Sequence, residues 1–285
     1  MNIAVVGMGL IGGSICRALK HYTNHRVLGQ TRNPKTVEFA ISVGAIDAPL
    51  TDPKEADVVF VALPPEVTIA YLRDHVEDFK PGTIVADICG VKQPVIDAVD
   101  QLYYNKGIRY VGTHPMAGKE VAGFANSDVD LYKNASYIIT PTELTDQAAV
   151  ETLSALATAI GFTRIEITDP ENHDRIISYT SQLAHVVSSA YIKSPTAEMT
   201  LGFTAGSFQD MTRVAKLDPD MWTVLFALNQ EPLLGELNTL IDNLTVFRNA
   251  LAAEDTEKMR ALLEQGRVLR EAVLLRQHQH HTGND

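Results

Sequence analysis

The sequence is poor in cysteine, in basic residues and in long apolar runs, and each shortage excludes a class of protein. Its two cysteines, Cys16 and Cys89, fit neither a disulfide framework nor a metal site, which suits a reducing compartment. Lysine and arginine number 24 against 35 acidic residues, and the net charge of −11 argues against a nucleic-acid partner. No apolar run approaches the ~18 residues that span a bilayer. We therefore expect a cytoplasmic protein without a nucleic-acid or membrane partner.

Short apolar runs alternate with helical segments over the first 168 of the 285 residues. The runs typical of buried strands lie at residues 3–6, 25–31, 57–63, 83–87, 109–112, 136–140 and 164–168. Such alternation predicts a doubly wound, mostly parallel sheet. We predict an α/β Rossmann-type N-terminal domain over residues 1–168.

From residue 169 to the end the apolar residues follow helical spacing. Asp169-Pro170 and Asp218-Pro219 each combine a capping aspartate with a proline at the first helical position. If it is unbroken, the helix after Asp218 would run for about 30 residues, and Pro232, which lacks an N–H, is expected to kink it. We predict an all-α C-terminal dimerisation domain over residues 169–285 and a homodimer built by it. The alternative is a helical domain that closes within one subunit. We expect the tail histidines to be frayed and to bind no metal; these are His278, His280 and His281.

A glycine-rich loop joins the first strand to the first helix. Gly7, Gly9 and Gly12 form G-x-G-x-x-G: the first allows a tight turn, the second lets backbone approach a pyrophosphate, and the third lets the helix pack closely. Leu10 and Ile11 open the helix, whose free N–H groups and dipole attract an anion. The loop predicts a dinucleotide site, against the alternative of a tight turn in an empty Rossmann-like fold.

The end of the second predicted strand lacks the acidic residue that holds the adenosine ribose of NAD. Thr31 and Arg32 stand there instead, and the next acid, Glu38, lies further into the following helix. A hydroxyl and a guanidinium suit a 2′-phosphate. We predict NADP rather than NAD. The alternative is an exposed arginine beside a site that accepts NAD through other contacts.

The segment G-T-H-P-M-A-G-K-E at residues 112–120 follows a predicted strand directly. Ligands of such sheets bind beyond the carboxyl ends of the strands, so His114 is placed to face a nicotinamide. A neutral histidine can accept a hydroxyl proton while hydride leaves the same carbon. The alternative is a histidine that caps a turn.

Four motifs follow one another at compatible spacing. They are D-I-C-G-V-K at 87–92, H-P-M-A-G-K-E at 114–120, H-D at 173–174 with S-Q-L-A-H at 181–185, and F-Q-D-M-T-R at 208–213 with Trp222 after it. In these motifs, over nearly its whole length, the chain resembles the prephenate/arogenate dehydrogenases of tyrosine biosynthesis. The resemblance implies an oxidoreductase that decarboxylates prephenate to 4-hydroxyphenylpyruvate, or arogenate to tyrosine, with His114 accepting the ring hydroxyl proton.

The resemblance also implies the substrate contacts. His185 and Arg213 are expected to touch the substrate, and a guanidinium suits the dianion prephenate. Ser181 shares a helix face with His185, and Glu120 is expected to pair with a basic pocket group or gate entry. The alternatives are a core histidine for His185, a surface ion pair with Asp210 for Arg213 and a solvated loop acid for Glu120.

The chain departs from the family at a residue beside the expected nicotinamide. Gly90 replaces a serine that, in the family, helps to orient the catalytic histidine. The thiol of Cys89, a water or the N–H of Gly90 must cover its absence. We expect the replacement of serine by Gly90 to lower activity or to change substrate preference. It does not remove His114, the proton acceptor. Cys89 and Gly90, with Leu63 and Pro64 after the third predicted strand, are the remaining expected cofactor contacts.

Two other protein classes stay open. The chemistry of a 3-hydroxyacid dehydrogenase with a helical second domain would require a lysine early in the first long helix of the second half. That helix starts at Glu171 and has no lysine before Lys193. A non-catalytic NADP-binding sensor is compatible with Gly90, although His114, His185 and Arg213 together argue against it. The sequence does not choose between prephenate and arogenate.

Overall fold

The structure, a computed structural model, describes the backbone of residues 1–282 and the side chains of residues 1–277. The contacts divide the chain into two compact units, Met1–Leu233 and Leu234–Asp285. The expectation that the tail histidines bind no metal concerns side chains outside the described residues; they are His278, His280 and His281.

An eight-stranded sheet forms the body of the first unit. Its strands are β1 (Asn2–Val6), β2 (Arg26–Gln30), β3 (Ala48–Pro49), β4 (Val58–Val61), β5 (Ile84–Asp87), β6 (Arg109–Pro115), β7 (Ser136–Thr140) and β8 (Arg164–Ile167). They lie in the order β3-β2-β1-β4-β5-β6-β7-β8, and every neighbouring pair is parallel except β6 and β7. The predicted α/β class is confirmed. Strands β2 and β4 pair with opposite sides of β1, so the chain order of the strands reverses there and the sheet has a topological switch point beside β1.

Helices connect most of the strands, and after β8 the chain is helical to the end of the described backbone. They are α1 (Leu10–Tyr22), α2 (Pro34–Ser42), α3 (Pro65–Asp74), α4 (Gln93–Asn105), α5 (Gln147–Ala159), α6 (Pro170–Ile177), α7 (Leu183–Tyr191), α8 (Gly206–Thr212), α9 (Pro219–Leu228), α10 (Gln230–Ala252) and α11 (Thr256–Thr282). Among the described residues no helix is long and apolar enough to cross a membrane. Helix α11 continues to Thr282, and the predicted fraying of the tail from Gln277 concerns residues that lie mostly outside the fully described part of the chain, so it stays a prediction.

Both aspartate–proline signals start helices as predicted. The Asp169 side chain accepts a hydrogen bond from the N–H of Asn172, and Asp218 caps α9 in the same way. These starts could be predicted because a cap is a local interaction within one turn.

The helix predicted after Asp218 is interrupted near Pro232, as expected, but by a full break rather than a kink. The helix breaks at Asn229, between the end of α9 at Leu228 and the start of α10 at Gln230. Pro232 has no N–H for the carbonyl of Leu228, and its ring would clash with that carbonyl in a continuous helix. The proline instead occupies the first turn of α10, where its missing N–H needs no partner.

The division of contacts does not coincide with the boundary predicted after residue 168. Helices α6 to α9 fall in the same compact unit as the sheet. One reason is visible at Asp174 on α6, whose carboxylate accepts hydrogen bonds from the N–H groups of Lys92 and Gln93 at the start of α4. The boundary at residue 168 therefore stays a prediction.

Candidate active site

The glycine-rich loop lies at the carboxyl end of β1, beside the switch point. Gly7 has a φ of +94°, and a Cβ there would lie 2.3 Å from the carbonyl oxygen of Ala62. A Cβ at Gly12 would lie 2.0 Å from the carbonyl oxygen of Gly7, so the first turn of α1 can pack this closely only without a side chain. At Gly9 a Cβ would meet nothing within 4 Å. The loop is closed towards the sheet and open at Gly9, which fits the approach of a pyrophosphate to the helix start at Leu10.

The other predicted cofactor contacts all follow carboxyl ends of strands on the two sides of β1. Thr31 and Arg32 follow β2, Leu63 and Pro64 follow β4, and Cys89 and Gly90 follow β5. Arg32 is exposed, while Thr31 and Leu63 are half-buried. Ile11 is the second residue of α1, and its backbone carbonyl accepts a hydrogen bond from the Tyr132 hydroxyl at 2.7 Å.

The Cys89 thiol does not replace the missing serine. It packs in the apolar cluster beneath the loop, 3.4 Å from the Thr68 hydroxyl, and burial raises its pKa to about 12. A thiol held in the core is not available to orient an imidazole. The expectation that Cys89 could take this role is therefore corrected, and Gly90 is the residue that stands against the histidine.

His114 lies inside β6 rather than after it. The strand was predicted to end at Gly112, but residues 113–115 continue it by pairing with β7, His114 opposite Ile138. The parallel pairing with β5 ends at Asp87 opposite Gly112. The imidazole therefore stands just beyond the carboxyl end of β5, on a backbone segment that pairs with β7.

The His114 ring is the first member of a buried hydrogen-bonded chain. Its Nδ1 lies 3.0 Å from Nε2 of His173, and Nδ1 of His173 lies 2.7 Å from Oδ1 of Asp174. The two oxygens of Asp174 accept hydrogen bonds from the N–H groups of Lys92 at 2.8 Å and Gln93 at 2.9 Å. Desolvation is the largest cause that lowers the pKa of His114 well below 6.5, and the positive charge of Lys92 acts in the same direction. The ring is neutral at neutral pH and can accept a proton.

A buried ion pair fixes the backbone around His114. The side chains of Lys92 and Asp87 are completely buried and contact each other. The ammonium also donates to the carbonyl of Thr113 at 2.6 Å, and the Tyr110 hydroxyl donates to Asp87 at 2.7 Å. This network joins β5, β6 and the start of α4 directly behind the imidazole.

An exposed ion pair lies between two more of the predicted substrate contacts. Arg213 and Glu120 are 2.5 Å apart, with side chains 65% and 50% exposed. The charges of both also act on the pKa of His185, so the three groups are close together. The alternative pairing of Arg213 with Asp210 is not observed.

His185 lines a cleft and is not a core residue. Its ring stacks on Trp222 with 3.6 Å between the centroids, and its Nδ1 lies 2.9 Å from the Ser181 carbonyl. Because a carbonyl only accepts, Nδ1 carries the proton and Nε2 is left as an acceptor in the neutral ring, which desolvation favours by lowering the pKa. Ser181 belongs to a π-helical turn at residues 178–182, a distortion common at functional sites. The cleft has a volume of about 390 Å³, and its other lining residues include Lys193, Leu217 and Phe226.

Four residues of this site received no role from the sequence. His173, Asp174 and Lys92 stood inside the quoted motifs, and Trp222 followed one of them. Nothing local shows that His173 meets a residue 59 positions away. Two successive polar residues in an otherwise amphipathic helix are ordinary, and only their burial marks these as special.

The glycine loop and the neutral His114 both lie at the carboxyl ends of the parallel strands. Together they define a nucleotide-dependent oxidoreductase of the Rossmann class. Two family descriptions narrow this class. Residues 15–165 match "Prephenate dehydrogenase, nucleotide-binding domain", and residues 169–265 match "Prephenate dehydrogenase, dimerization domain". The chain belongs to the prephenate/arogenate dehydrogenase family, and the resemblance inferred from the motifs is confirmed.

Individual relatives agree with the family. The prephenate dehydrogenase of Bacillus subtilis is 31% identical over 97% of this chain and 77% of its own length. The crystal structure of Synechocystis arogenate dehydrogenase is 27% identical, with a TM-score of 0.82 over 96% of this chain and all of that one. The fold is also shared with Aquifex aeolicus prephenate dehydrogenase, solved with hydroxyphenyl propionate and NAD+, at 24% identity and a TM-score of 0.83 over 96% of this chain and 98% of that one.

Proposed function

We propose that the protein converts prephenate to 4-hydroxyphenylpyruvate by NADP-dependent oxidative decarboxylation. The observation that carries the proposal is the neutral His114 at the carboxyl edge of the sheet, on the same edge as the glycine loop. Arogenate is the second candidate substrate, because the similar Synechocystis enzyme is an arogenate dehydrogenase.

The residues around the loop suit a nicotinamide dinucleotide. When bound, the nicotinamide supplies the hydride acceptor. Gly9 and the start of α1 would hold the pyrophosphate, and Thr31 and Arg32 would hold a 2′-phosphate. Arg32 is exposed and follows the carboxyl end of β2, so its guanidinium can turn towards this ligand.

His114 takes the proton of the ring hydroxyl as hydride leaves the same carbon. The electron pair of the bond to the leaving carboxylate moves into the ring, carbon dioxide departs, and the ring becomes aromatic. The new phenolate oxygen can take the proton back from His114, so the histidine ends the cycle neutral. The network behind the ring keeps it in place throughout.

Arg213 and His185 are proposed to bind the carboxylates of the substrate. In the free protein Glu120 occupies the guanidinium of Arg213, so an entering carboxylate must replace or share this partner. An exposed ion pair has little net strength, and such an exchange costs little. Glu120 then acts as a gate that an anionic ligand opens.

The test is a set of assays with prephenate or arogenate, each with NADP+ or NAD+. Formation of reduced nicotinamide with prephenate and NADP+ is the expected result, and a higher kcat/KM with arogenate would reassign the substrate. Arg32→Ala should raise the KM for NADP+ about tenfold and leave that for NAD+ unchanged, because only NADP carries the 2′-phosphate. Binding without reduction would favour the NADP-binding sensor, and a preference for NAD+ would contradict the cofactor proposal.

We also propose that the helical domain from residue 169 onwards forms a homodimer of a cytoplasmic enzyme. The matching family description names a dimerization domain. Large apolar side chains on α10 and α11 are exposed in the single chain, among them Leu244 at 57%, Leu251 at 66% and Leu263 at 64%. Apolar surface on this scale is normally covered by a partner. Light scattering should give twice the chain mass of 31.2 kDa, and a monomer at micromolar concentration would contradict the proposal.

A further inference from the structure

We infer that His173 and Asp174 are positioning residues that set the proton-accepting tautomer of His114. We further infer that in this chain they do so without help from the opposite side of the ring, where Gly90 stands. Both inferences rest on the proposed function of His114 as the proton acceptor.

The hydrogen bonds determine the tautomer one atom at a time. Asp174 accepts at both oxygens from backbone N–H groups, so its carboxylate acts as an acceptor throughout. Nδ1 of His173 must then carry the proton that it shares with Oδ1. A neutral imidazole has one N–H, which leaves Nε2 of His173 as an acceptor for the Nδ1–H of His114. Nε2 of His114 keeps its lone pair, and this is the atom that faces Gly90.

Burial keeps this chain of groups in one state. His173 is 1% exposed and Asp174 is 4% exposed. Desolvation lowers the pKa of His173, which favours the neutral ring that the tautomer assignment requires. The backbone of Asp174 is held by Asn229, which donates from its side chain to the Asp174 carbonyl at 2.9 Å. The donors and acceptors are therefore oriented before a substrate arrives.

The glycine at position 90 leaves the front of the ring without a protein partner. Within the described residues the only hydrogen bond of the His114 ring is the one to His173. A Cβ at Gly90 would lie 3.8 Å from Nε2 of His114 and 3.6 Å from a methyl carbon of Leu225, both ordinary contacts. The backbone would accept serine there, and its hydroxyl would be within reach of Nε2. With glycine instead, the orientation of the ring depends on His173 alone.

Asp174→Asn is the direct test, because it keeps the shape and changes the donor pattern. An amide has one acceptor oxygen where the carboxylate has two, so its NH2 can face His173 and force the proton of that ring onto Nε2. His114 would then carry its own proton on Nε2 and lose the lone pair. By analogy with the same change in a catalytic triad we expect kcat to fall by about 10²–10⁴-fold with KM changed less than about threefold. The matched control is Glu171→Gln, an exposed acid on the same helix, which should leave kcat unchanged.

Nitrogen chemical shifts of the imidazoles, measured without substrate, report the tautomer independently of turnover. We expect an Nδ1–H tautomer at His114 in the wild type and an Nε2–H tautomer in Asp174→Asn. The same tautomer and the same kcat in a folded Asp174→Asn variant would overturn the inference. If the wild type turns over neither substrate but the tautomer switches as expected, the proposed function fails and the assignment of the hydrogen-bond chain stands.

A second pair of variants covers the case in which Asp174→Asn does not fold. His173→Gln keeps an acceptor for His114, whereas His173→Met has similar volume and none. We expect the methionine variant to lose at least tenfold more kcat than the glutamine variant, and equal losses would contradict the positioning role. Adding Gly90→Ser should make the loss in His173→Met smaller, because serine offers a second anchor. An unchanged loss would show that the ring does not depend on the missing side chain.

Discussion

The two ends of the proposed substrate site are built in opposite ways. At the proton-accepting end, His173 and Asp174 are buried and form a hydrogen-bonded chain behind His114. At the anion-binding end, Arg213 and Glu120 form an exposed pair, with side chains 65% and 50% exposed. The difference teaches where rigidity is useful. Proton transfer requires one tautomer in one place, whereas carboxylate binding requires a cation that can exchange its partner.

The largest loss of activity should come from the buried end. His114→Asn removes the proton acceptor but keeps a side chain of similar shape, so kcat should fall by about 10²–10⁴-fold with little change in substrate KM. Steady-state kinetics with the better of the two substrates measures both constants. Nearly unchanged kcat would mean that another group accepts the proton, and the comparison between the two ends would lose its basis.

The buried pair of Lys92 and Asp87 and the exposed pair of Arg213 and Glu120 should also differ in how much they contribute to the free energy of unfolding. Lys92→Met leaves the carboxylate of Asp87 buried without its cation, so we expect a loss of about 3–5 kcal/mol in the free energy of unfolding. Glu120→Gln should leave that free energy unchanged within error, because its pair is exposed. Denaturant titrations of the two variants provide the comparison. Equal effects would show that burial does not distinguish the pairs.

Arg213→Ala should act on binding alone. Loss of a charged hydrogen bond to a carboxylate should raise the substrate KM by about 10- to 100-fold and leave kcat within about threefold. Glu120→Gln should change the KM much less and in the opposite direction, because it frees the guanidinium. A fall in kcat without a change in KM for Arg213→Ala would place this residue at the reacting end instead.

The smallest expected effect concerns pH. The folded protein lowers the pKa of His114, so the neutral, active form persists below pH 6.5. In the unfolded chain the His114 ring would take up a proton near the ordinary histidine pKa of about 6.5. The contribution of the neutral ring to stability is therefore present above about pH 6.5 and is lost as the pH falls below that value. The acid limb of kcat/KM should lie below pH 6.5, and a limb at or above 6.5 would contradict the desolvated site.

The parts of the site that could be predicted are those defined within a few residues. The loop of Gly7, Gly9 and Gly12 needs only its own turn and the adjoining strand and helix, and its geometry agrees with the prediction. The helix caps at Asp169 and Asp218 are equally local. Helix α4 is also local in origin, because its buried apolar residues have helical spacing; these are Val95, Ile96, Val99 and Tyr103.

Interactions between distant segments could not be predicted in the same way. The sequence offered Asp210 as a partner for Arg213 because it is three residues away, but the structure pairs Arg213 with Glu120, 93 residues away. It offered Cys89 as a substitute for serine because it is adjacent, but the thiol packs in the core. Closeness along a chain says little about which side chains share a pocket once helices and strands pack.

By itself the sequence determined the class of the fold, the dinucleotide-type loop and the family, because alternating apolar runs, glycine turns and motif spacing depend on local geometry. Tertiary structure alone decided what stands around His114. The antiparallel pairing with β7 places the histidine in the sheet, and the contact of α6 with the start of α4 brings His173 and Asp174 behind it. Tautomer, burial and pKa depend on neighbours that only packing supplies, and so the chemistry of the histidine follows from the fold.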